Sequence, residues 1–381
     1  MVPSILSIGT ALPETRLGQD ATRDLFASQP GLDRRTQRII HAAFDASAID
    51  TRHTVLPELA GLPASGLRVR DARGALLAPT TGARNDEYRR SAPALFAAAA
   101  TDALAGAGLA PGTVTHVVTI SCTGLFAPGP DYRLVRDLGL RADVQRYNLG
   151  FVGCAAAVPG LRLAAHIAAS DPTAVVLVVS AELCSLHLRS SSDPEQIVAS
   201  SVFADGAAAA VVTADPAHEA LDRLELDGFG TQLIPDGEKD MFWTIGDTGF
   251  EMTLTAQVPR LVGLHARTAM PDLLGPSAGI DAWAIHPGGR SILDRVEGAL
   301  GAPDGALDAS RDVLRTHGNM SSATILFVLD ELWTRGTVDG ARIGLMAFGP
   351  GLTVEAARLV RRGARQPREL SEPRVRETVA G

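Results

Sequence analysis

The sequence predicts an α/β protein built around a sheet that helices cover on both faces. Short apolar runs, mostly of β-branched residues, alternate with alanine-rich stretches of helical length. The strand-like runs are apolar on both faces, which is typical of a sheet buried on both sides. A similar strand followed by a glycine-rich loop occurs in each half of the chain, as ISCTG and as AIHPGG. We therefore expect a duplicated fold, with one half over 1–216 and the other over 217–381.

The predicted elements follow one another along the chain. MVPSILSIGTALP is expected to be the first strand, because it lacks the basic segment that precedes the apolar run of a signal peptide. Further strands are predicted at THVVTISC, TAVVLVVSAEL, AAAAVVTAD, DAWAIHP and ARIGLMAF. Helices are predicted at APALFAAAATDALAGAGL, AAVPGLRLAAHIAAS, SILDRVEGALG and SSATILFVLDELW. The polar, turn-rich segment around residue 216 separates the two halves.

Composition narrows the classes of function. The net charge of −8 disfavours non-specific binding to nucleic acid. No apolar run approaches the roughly 18 residues of a membrane helix, so no stable membrane insertion is expected. The three cysteines lack the close paired spacing of a zinc site or a disulfide framework. We expect free thiols, no bound metal and a reducing, cytoplasmic location.

The stretch YNLGFVGCAAA places Cys154 after a predicted strand and directly before an apolar, alanine-rich helix. The dipole and the unpaired N–H groups at the start of a helix favour an anion, so the pKa of the thiol is expected to fall. A thiolate at that position would be a nucleophile. The alternative is a small buried cysteine that fills a gap in the core, which is the usual role of a free cysteine.

Two other residues are candidate partners for this thiol. His286 stands at the end of a predicted strand in AIHPGG, and Asn319 stands in HGNMSSA, just before an apolar helix. Taken singly, His286 is explained as a strand-end residue and Asn319 as a helix cap. Together with Cys154 they form the set that thioester chemistry requires: a nucleophile, an imidazole and neutral donors aimed at a thioester oxygen.

The motifs GFVGCAAA, AIHPGG, HGNMSSA and AFGPGLTVE, in that order, resemble those of the type III polyketide synthases, the chalcone and stilbene synthase-like enzymes. PTTGARNDEY, PGPDY, VFADGAAAA and LIPD extend the resemblance through nearly the whole chain. The resemblance implies a thiolase fold with five layers, αβαβα, and a homodimer with one active site per subunit. It also implies an acyltransferase that uses malonyl-CoA and an acyl-CoA starter, with no metal or redox cofactor.

The resemblance assigns a role to each reactive residue. Cys154 is expected to accept the acyl group, while His286 and Asn319 bind the malonyl thioester carbonyl and stabilise the enolate that forms on loss of CO₂. Phe203 matches an aromatic residue that shapes the route from the CoA tunnel to the cysteine. Other residues expected to line the site, from the same motifs, are Gly288, Gly289 and Ser321.

This sequence departs from the plant members of the family at several pocket positions. Met252 stands at a gating phenylalanine, and Ala127 stands at a methionine that closes the cavity near the dimer interface. Thr123 is a compact neighbour of these positions. The positions of threonines that line the plant pocket are occupied by Cys122, Cys184 and His187. Small or flexible side chains at these positions predict an apolar channel behind the cysteine, with room for a fatty acyl chain.

The basic residues that grip CoA phosphates in the plant enzymes are missing here. Their positions fall on the uncharged residues Ile39, Ala42 and Ala46. Arg38, together with Arg34 and Arg35 on the same predicted helix, is the candidate replacement. The alternative is that these arginines form an ordinary solvated helix face.

The leading prediction is a synthase that extends a medium- or long-chain fatty acyl-CoA with malonyl-CoA and cyclises the product to an alkylpyrone or alkylresorcinol. One alternative is a synthase primed by malonyl-CoA itself, with a tetrahydroxynaphthalene or dihydroxyphenylacetyl product. Another is a ketoacyl synthase of fatty-acid initiation, which the HPGG and FGPG loops disfavour. A non-catalytic thiolase-fold scaffold is the remaining alternative, and the presence of all three reactive residues disfavours it.

Overall fold

The predicted alternation of strands and helices is present throughout the computed structural model, which describes residues 2–274 and 279–363. The strands are β1 Ser4–Ala11, β2 Thr15–Gly18, β3 Thr51–Thr54, β4 His116–Ser121, β5 Gln145–Gly150, β6 Val175–Leu183, β7 Asp205–Thr213, β8 Arg223–Leu233, β9 Met241–Gly246, β10 Gly249–Leu254, β11 Ala282–Ile285, β12 Arg342–Gly349 and β13 Thr353–Arg362. The helices are α1 Gln19–Ala27, α2 Arg34–Asp45, α3 Thr81–Ala107, α4 Pro130–Asp137, α5 Ala157–Ser170, α6 Pro194–Val202, α7 Val258–Leu274, α8 Arg290–Leu300, α9 Asp308–His317 and α10 Thr324–Arg335.

The internal repeat predicted from the sequence is visible in the order of the strands. Nine strands are hydrogen-bonded in the order β11-β12-β13-β8-β1-β7-β6-β4-β5. In the first half β7 runs antiparallel to both β1 and β6, and β4 is parallel to β6. In the second half β8, β13 and β12 run antiparallel and β11 is parallel to β12. The two halves thus have the same topology, with β5 added at the edge of the first.

The two halves of the sheet are joined at one narrow place. Only two residue pairs connect β1 to β8, Ser4 with Glu225 and Ile5 with Leu224. Each half therefore carries its own helices. Helix α3 packs on the outer face of the first half, and α7 packs on β8 and β13 on the outer face of the second.

Helices α5 and α10 form the layer between the two halves. One buried cluster unites apolar residues of both helices with residues of strands from both halves, among them Leu161, Leu326, Val178 and Leu345. The order of layers is helix, sheet, helix, sheet, helix, which is the five-layered αβαβα arrangement expected from the sequence. Both central helices are apolar on most of their surface because both lie in this buried layer.

Helix α3 begins earlier than the apolar pattern predicts. The pattern places its start near Ala92, whereas the helix runs from Thr81. The side chain of Thr80 accepts a hydrogen bond from the backbone N–H of Ala83, at 3.2 Å, and so caps the helix at this earlier position. Pro93 lies inside the helix, where a proline normally marks a boundary, and packing on β1 and β7 holds the helix together across it.

Candidate active site

The central helices α5 and α10 bring two of the predicted catalytic residues together. Cys154 lies in a one-turn 3₁₀ helix, Gly153–Ala155, immediately before α5. Asn319 lies immediately before the corresponding turn, Ser321–Ala323, at the start of α10. The two turns are in contact, because α5 and α10 occupy equivalent places in the two halves. The duplication of the fold therefore creates the site.

Gly153 gives the turn that carries Cys154 its shape. Its φ is +78°, a left-handed conformation that favours glycine. A Cβ at this position would lie 2.2 Å from Cδ of Pro350, so only glycine allows the loop after β12 to approach this closely. The loop is part of the AFGPG motif. The cysteine motif and the FGPG motif, far apart in sequence, are thus parts of one packed turn.

Cys154 is buried, with 6% of its surface exposed. The prediction of a lowered pKa for this thiol is wrong, because burial raises it to about 11. The nearby carboxylate of Glu182 raises it further, while hydrogen bonds with Ser321 and Asn319 oppose the rise. The resting nucleophile is therefore a neutral thiol that must lose its proton during the reaction.

Asn319 is held by its backbone and by its side-chain oxygen. It forms an isolated parallel bridge with Phe203, in which the N–H of Asn319 donates to Val202 O at 2.8 Å and the N–H of Ala204 donates to Asn319 O at 2.9 Å. The side-chain Oδ1 accepts from the N–H of Ser321 at 2.9 Å. The Nδ2 group of Asn319 donates to Gly288 O at 3.3 Å. It is also within hydrogen-bond reach of the thiol of Cys154.

Ser321 has a backbone conformation that non-glycine residues rarely adopt. Its φ is +47°, which costs roughly 1–2 kcal/mol for a residue with a Cβ. The same conformation lets its N–H reach Asn319 and brings its side chain into hydrogen-bond contact with Cys154. Strain of this kind is typical of a site whose geometry serves function.

His286 follows β11 and is almost completely buried, with 1% of its surface exposed. Its backbone N–H donates to Met346 O at 2.8 Å, which continues the pairing of β11 with β12. Within the described part of the chain, neither ring nitrogen has a hydrogen-bond partner. Burial lowers the pKa of His286 to about 3, so the ring is a neutral imidazole at physiological pH.

The three reactive residues lie on one cavity of about 660 Å³, which we call the outer cavity. This volume is within the range of small-molecule and cofactor sites. Its walls come from α2, α6, the start of α7 and the start of α8. The predicted site residues that line it are Cys154, His286, Asn319, Phe203, Met252, Gly288 and Gly289.

A second, much smaller cavity of about 20 Å³, the inner cavity, lies on the other side of the cysteine. It is lined by four further predicted residues, Cys122, Thr123, Cys184 and Ser321. The residues that line both cavities, and so separate them, are Cys154, Phe203, Met241 and Met252. The inner cavity has room for about one water molecule. The acyl channel predicted behind the cysteine is therefore not open.

Trp243 is one of the large side chains that line the inner cavity, and it is not among the residues predicted from the sequence. Its indole Nε1 donates to Cys122 O at 3.1 Å, which holds the ring against the cavity. The strands β9 and β10 form a hairpin in which Trp243 pairs directly with Met252. The sequence does contain a signal for this pairing. The two-residue turn at Asp247 and Thr248, between two glycines, is typical of a hairpin and sets its register. Phe151, which also lines the inner cavity, gave no such signal.

Two further predicted residues line neither cavity of the single subunit. Arg38 is thus not placed for its predicted contact, whereas the role of Ala127 near a dimer interface stays a prediction. Ala127 is exposed and lines neither cavity, in a segment that also exposes Leu125 and Tyr132. Arg38 is exposed on α2, where its Nε donates to Arg34 O at 3.3 Å. It does not line the outer cavity either, because the part of α2 that does so begins one turn later, at Ala43.

His187 also lies outside both cavities, and it supports the wall instead of forming its surface. Its Nε2 is 2.8 Å from Thr123 O, and its Nδ1 accepts the N–H of Phe250 at 3.0 Å. The ring stacks on Phe250 with centroids 4.2 Å apart. Burial lowers the pKa of His187 to about 3, so this neutral ring holds the β9–β10 hairpin against the site.

Glu182 is a buried carboxylate behind the three cysteines that the sequence analysis also missed. Its Oε2 accepts from the N–H of Cys122 and from the hydroxyl of Thr123, each at 2.9 Å. Its Oε1 accepts from the hydroxyl of Ser322 at the start of α10. Burial raises the pKa of Glu182, and these hydrogen bonds oppose the rise. The network ties β6 to the turn before α10.

The described part of the chain contains neither a metal-binding cluster nor a membrane-spanning helix. No group of three or more His, Cys, Asp or Glu side chains is placed to hold a metal ion in this part of the chain. None of its helices combines the length and the apolar character that crossing a membrane requires.

The fold and the site together define a class of protein. A five-layered thiolase-type fold presents a buried thiol, an imidazole and an amide at the floor of one cavity, and such a set serves acyl transfer between thioesters. Comparison with known proteins agrees. Residues 2–216 match the family described as chalcone and stilbene synthases, N-terminal domain, and residues 225–362 match the C-terminal domain of the same family. The chain belongs to the chalcone and stilbene synthase family, the type III polyketide synthases, and is an acyltransferase.

Individual relatives support this membership. The chain is 37% identical over 296 residues to bisdemethoxycurcumin synthase of Oryza sativa subsp. japonica, covering 73% of each chain. It is 32% identical over 360 residues to probable polyketide synthase 1 of Dictyostelium discoideum, covering 92% of this chain and 11% of that protein's length. This chain therefore spans about a tenth of the Dictyostelium protein.

Solved structures give the same result. The C-terminal type III polyketide synthase domain of Steely1, from Dictyostelium, superposes with a TM-score of 0.86 at 29% identity, covering 95% of this chain and 99% of that one. PKS-I of the brown alga Ectocarpus siliculosus superposes with a TM-score of 0.89 at 26% identity, covering 94% and 98%. These matches favour the polyketide synthase prediction over the alternative of a ketoacyl synthase of fatty-acid initiation.

Proposed function

We propose that this enzyme condenses malonyl-CoA with an acyl group held as a thioester on Cys154. The observation that carries the proposal is the convergence of Cys154, His286 and Asn319 at the floor of the outer cavity. These residues supply a nucleophile, a proton acceptor and two hydrogen-bond donors. We propose that the reaction uses no metal and no redox cofactor, because every step has a group in this set to carry it.

Loading begins with the neutral thiol. The sulfur of Cys154 attacks the thioester carbonyl of the acyl-CoA, while His286 takes the thiol proton. The carbon–sulfur bond to CoA then breaks, and the CoA thiolate leaves with the proton that His286 had accepted. A neutral imidazole whose pKa lies near 3 is a weak base, so the proton does not stay on it in the resting enzyme.

Extension of the acyl group by malonyl-CoA requires hydrogen-bond donors, whereas loading requires a base. The thioester oxygen of malonyl-CoA is placed between the imidazole N–H of His286 and the Nδ2 group of Asn319. The bond to the carboxylate breaks, CO₂ leaves, and the electron pair forms an enolate on that oxygen. Removing one such donor from an oxyanion site costs about 2.7–4 kcal/mol of transition-state stabilisation. The enolate carbon then attacks the acyl group on Cys154, and the thiolate leaves.

The unpartnered ring of His286 supports this double role. A ring nitrogen bonded to a fixed carbonyl would hold one tautomer, and the catalytic nitrogen would then be an acceptor only. Neither nitrogen of His286 has such a partner, so the same nitrogen is free to accept a proton during loading and to donate one during decarboxylation. The roles proposed for His286 therefore do not conflict.

We further propose that the starter is short, with malonyl-CoA itself as a starter. The inner cavity of about 20 Å³ does not admit the acyl chain predicted from the sequence, because Trp243, Phe151 and Met252 fill the space. A short starter and the growing chain would fit in the outer cavity. This favours the malonyl-primed alternative over alkylpyrone or alkylresorcinol synthesis.

A fatty acyl starter is the second candidate, and the lining of the outer cavity favours it. Val198, Leu254, Val258 and Ile292 give this cavity apolar walls. Each CH₂ group buried there contributes about 0.8 kcal/mol to binding before ordering costs. A long starter would then share the cavity with the pantetheine arm of malonyl-CoA, which limits its length.

We also propose that the enzyme is a homodimer formed through β5. This strand is at the edge of the sheet, pairs only with β4, and exposes most of its residues. Tyr147 on the strand and Val152 just after it are large apolar residues on this surface, with 37% and 38% of their surface exposed. An exposed edge of this kind favours pairing with a second copy. The three free cysteines support a reducing, cytoplasmic location.

The test is to incubate the purified enzyme with malonyl-CoA, alone and with starters from acetyl-CoA to long fatty acyl-CoA. We expect CO₂ release, an acyl adduct on Cys154 by intact-protein mass spectrometry, and products from malonyl-CoA alone or with short starters. Preference for long starters would support the second candidate. No CO₂ release and no adduct with any starter would contradict the proposed function and favour the non-catalytic scaffold.

A further inference from the structure

The wall of the outer cavity carries a group of arginines that the catalytic chemistry does not use. Arg260 lies in the first turn of α7, and Arg290 and Arg295 lie on α8. All three side chains are exposed, whereas Cys154 at the floor of the same cavity is buried. The arginines therefore mark the open end of the cavity, on the side formed by α7 and α8.

Two of these arginines have no acidic partner among the side chains that the structure describes, those of residues 2–266 and 279–363. Arg290 lies 3.6 Å from Asp294, which is itself held by Arg311 at 2.7 Å. Arg260 donates to the neutral Oε1 of Gln257 at 2.9 Å. For Arg260 and Arg295, no carboxylate of this part of the chain lies within ion-pair distance.

The packing of α7 on α8 places Arg260 and Arg295 on neighbouring helices that line the same cavity. A Cβ built at Gly263 would lie 3.1 Å from Cβ of Arg295, so the helices are in close contact at this point. Arg260 is one turn before Gly263 on the same helix. Two guanidinium groups without an ion-pair partner on one side of a cavity favour the binding of an anion there.

The part of the opposite wall that α2 forms is uncharged, whereas α6 beside it contributes the carboxylate of Glu195. The part of α2 and its end that lines the cavity consists of Ala43, Ala46 and Ser47. Arg38, the phosphate-binding residue predicted from the sequence, does not line the cavity, and its Nε is bonded within its own helix. A phosphate group at the open end would meet cations only on the side of α7 and α8.

We propose that Arg260 and Arg295, assisted by Arg290, bind the phosphate groups of the CoA thioesters. The inference rests on the proposed function, because it assumes that the thioester reaches Cys154 through the outer cavity. The thioester end must lie at the floor, so the phosphates at the other end of CoA lie near the opening. A guanidinium group is suited to phosphate because it presents parallel N–H donors and is always charged.

The test compares Arg260→Gln/Arg295→Gln with the matched control Arg38→Gln. Binding of CoA and of pantetheine, which has no phosphate, is measured by calorimetry on the full chain. We expect the double variant to weaken CoA binding by roughly ten-fold or more for the loss of charged hydrogen bonds, and to leave pantetheine binding unchanged. Arg38→Gln is expected to bind CoA as the wild type does.

Turnover gives a second readout that separates the two proposals. The KM for malonyl-CoA should rise in the double variant while kcat stays near the wild-type value, and turnover of malonyl-pantetheine should not change. Raising the salt concentration should raise KM in the wild type more than in the double variant. A wild type that binds CoA through these arginines but turns over nothing would contradict the proposed function and leave the phosphate site standing.

Three results would overturn the phosphate site. The first is unchanged CoA binding in the double variant. The second is weaker CoA binding in Arg38→Gln together with unchanged CoA binding in the double variant, which would place the phosphates on α2. The third is equal weakening for CoA and pantetheine, which would mean that the arginines shape the cavity and do not bind phosphate.

Discussion

The outer and inner cavities meet at Cys154 and share Phe203, Met241 and Met252, yet their volumes are about 660 and 20 Å³. The outer cavity is bounded by helices of both halves and ends in exposed arginines. The inner cavity is closed by a hairpin, held in place by Trp243 and His187. The same cysteine thus faces a large space for substrates and almost no space behind it. The difference teaches that the small side chains of the inner wall do not by themselves make a channel.

The largest expected effect comes from removing the thiol of Cys154, the reactive group at which the two cavities meet. Cys154→Ala should lower product formation by about a thousand-fold or more, because no acyl group can then be held for extension. Some decarboxylation of malonyl-CoA should remain, since His286 and Asn319 are intact. Product analysis and CO₂ release measure the two activities. Cys184→Ala, at the inner cavity only, is the control, and formation of product by Cys154→Ala would contradict the assignment.

The next largest effect is expected for Asn319, one of the two hydrogen-bond donors on the outer side of the cysteine. Asn319→Ala should lower decarboxylation by roughly 10²–10³-fold while still permitting an acyl adduct on Cys154. Asn319→Asp keeps the acceptor for the N–H of Ser321 and removes the donor, so it controls for damage to the turn. Decarboxylation at the wild-type rate in either variant would mean that Asn319 serves only the turn.

His286 should behave differently, because it is proposed to act in both steps. His286→Gln keeps an N–H donor but removes the base, so decarboxylation should fall less than acyl loading does. His286→Ala should impair both. Stopped-flow measurement of adduct formation beside CO₂ release tests this split. Equal losses of both activities in His286→Gln would contradict the double role.

Opening the inner cavity is expected to have a smaller and selective effect. Trp243→Ala removes the ring that closes the space beside Met252. Use of longer starters should improve by about four-fold for each CH₂ group that the new space buries, while short starters change little. The ratio of kcat/KM values across a starter panel is the measurement. A uniform loss across all chain lengths would show that Trp243 supports the site without limiting its size.

The ionisation of the thiol gives a pH prediction. The pKa of Cys154 is raised to about 11, so its alkylation by iodoacetamide should speed up about ten-fold per pH unit from pH 7 to 10. Glu182→Gln removes the carboxylate that raises this pKa, so the variant should react faster than the wild type at pH 8. Peptide mass spectrometry assigns the label to Cys154. A rate that is already constant above pH 7 would mean that the thiolate is the resting form.

The smallest effect is expected for His187→Phe, which keeps the stacking on Phe250 and removes two hydrogen bonds. Each bond contributes about 0.5–1.5 kcal/mol to stability. The pKa of His187 is about 3 in the folded chain and 6.5 in its unperturbed state, so the unfolded chain takes up a proton first as pH falls. Wild-type stability should therefore fall as pH drops from about 6.5 towards 3.

Thermal unfolding at several pH values tests this prediction. His187→Phe should be less stable than the wild type at pH 8, and its stability should fall less steeply below pH 6.5. An identical pH dependence in both proteins would mean that the neutral state of His187 does not contribute to the folded hairpin.

Much of the fold and of the catalytic set was open to prediction from local patterns. Alternating apolar runs showed the strands, and the glycine-rich loops showed where Cys154, His286 and Asn319 leave them. The pocket was harder to predict. The sequence shows Arg38 as a cation, but it does not show that α2 turns its uncharged end to the cavity.

The sequence by itself determined the α/β class, the repeat and the identity of the reactive side chains, because these depend on periodicity and on short motifs in which neighbours along the chain act together. Tertiary structure alone decided the state of those side chains and the space around them. The pKa of Cys154 rises instead of falling because burial in the layer between the sheets outweighs the start of α5. The inner cavity is closed because a hairpin places Trp243 against Cys122, which is 121 residues earlier in the chain. Desolvation and packing volume depend on residues distant in sequence, and no local pattern records them.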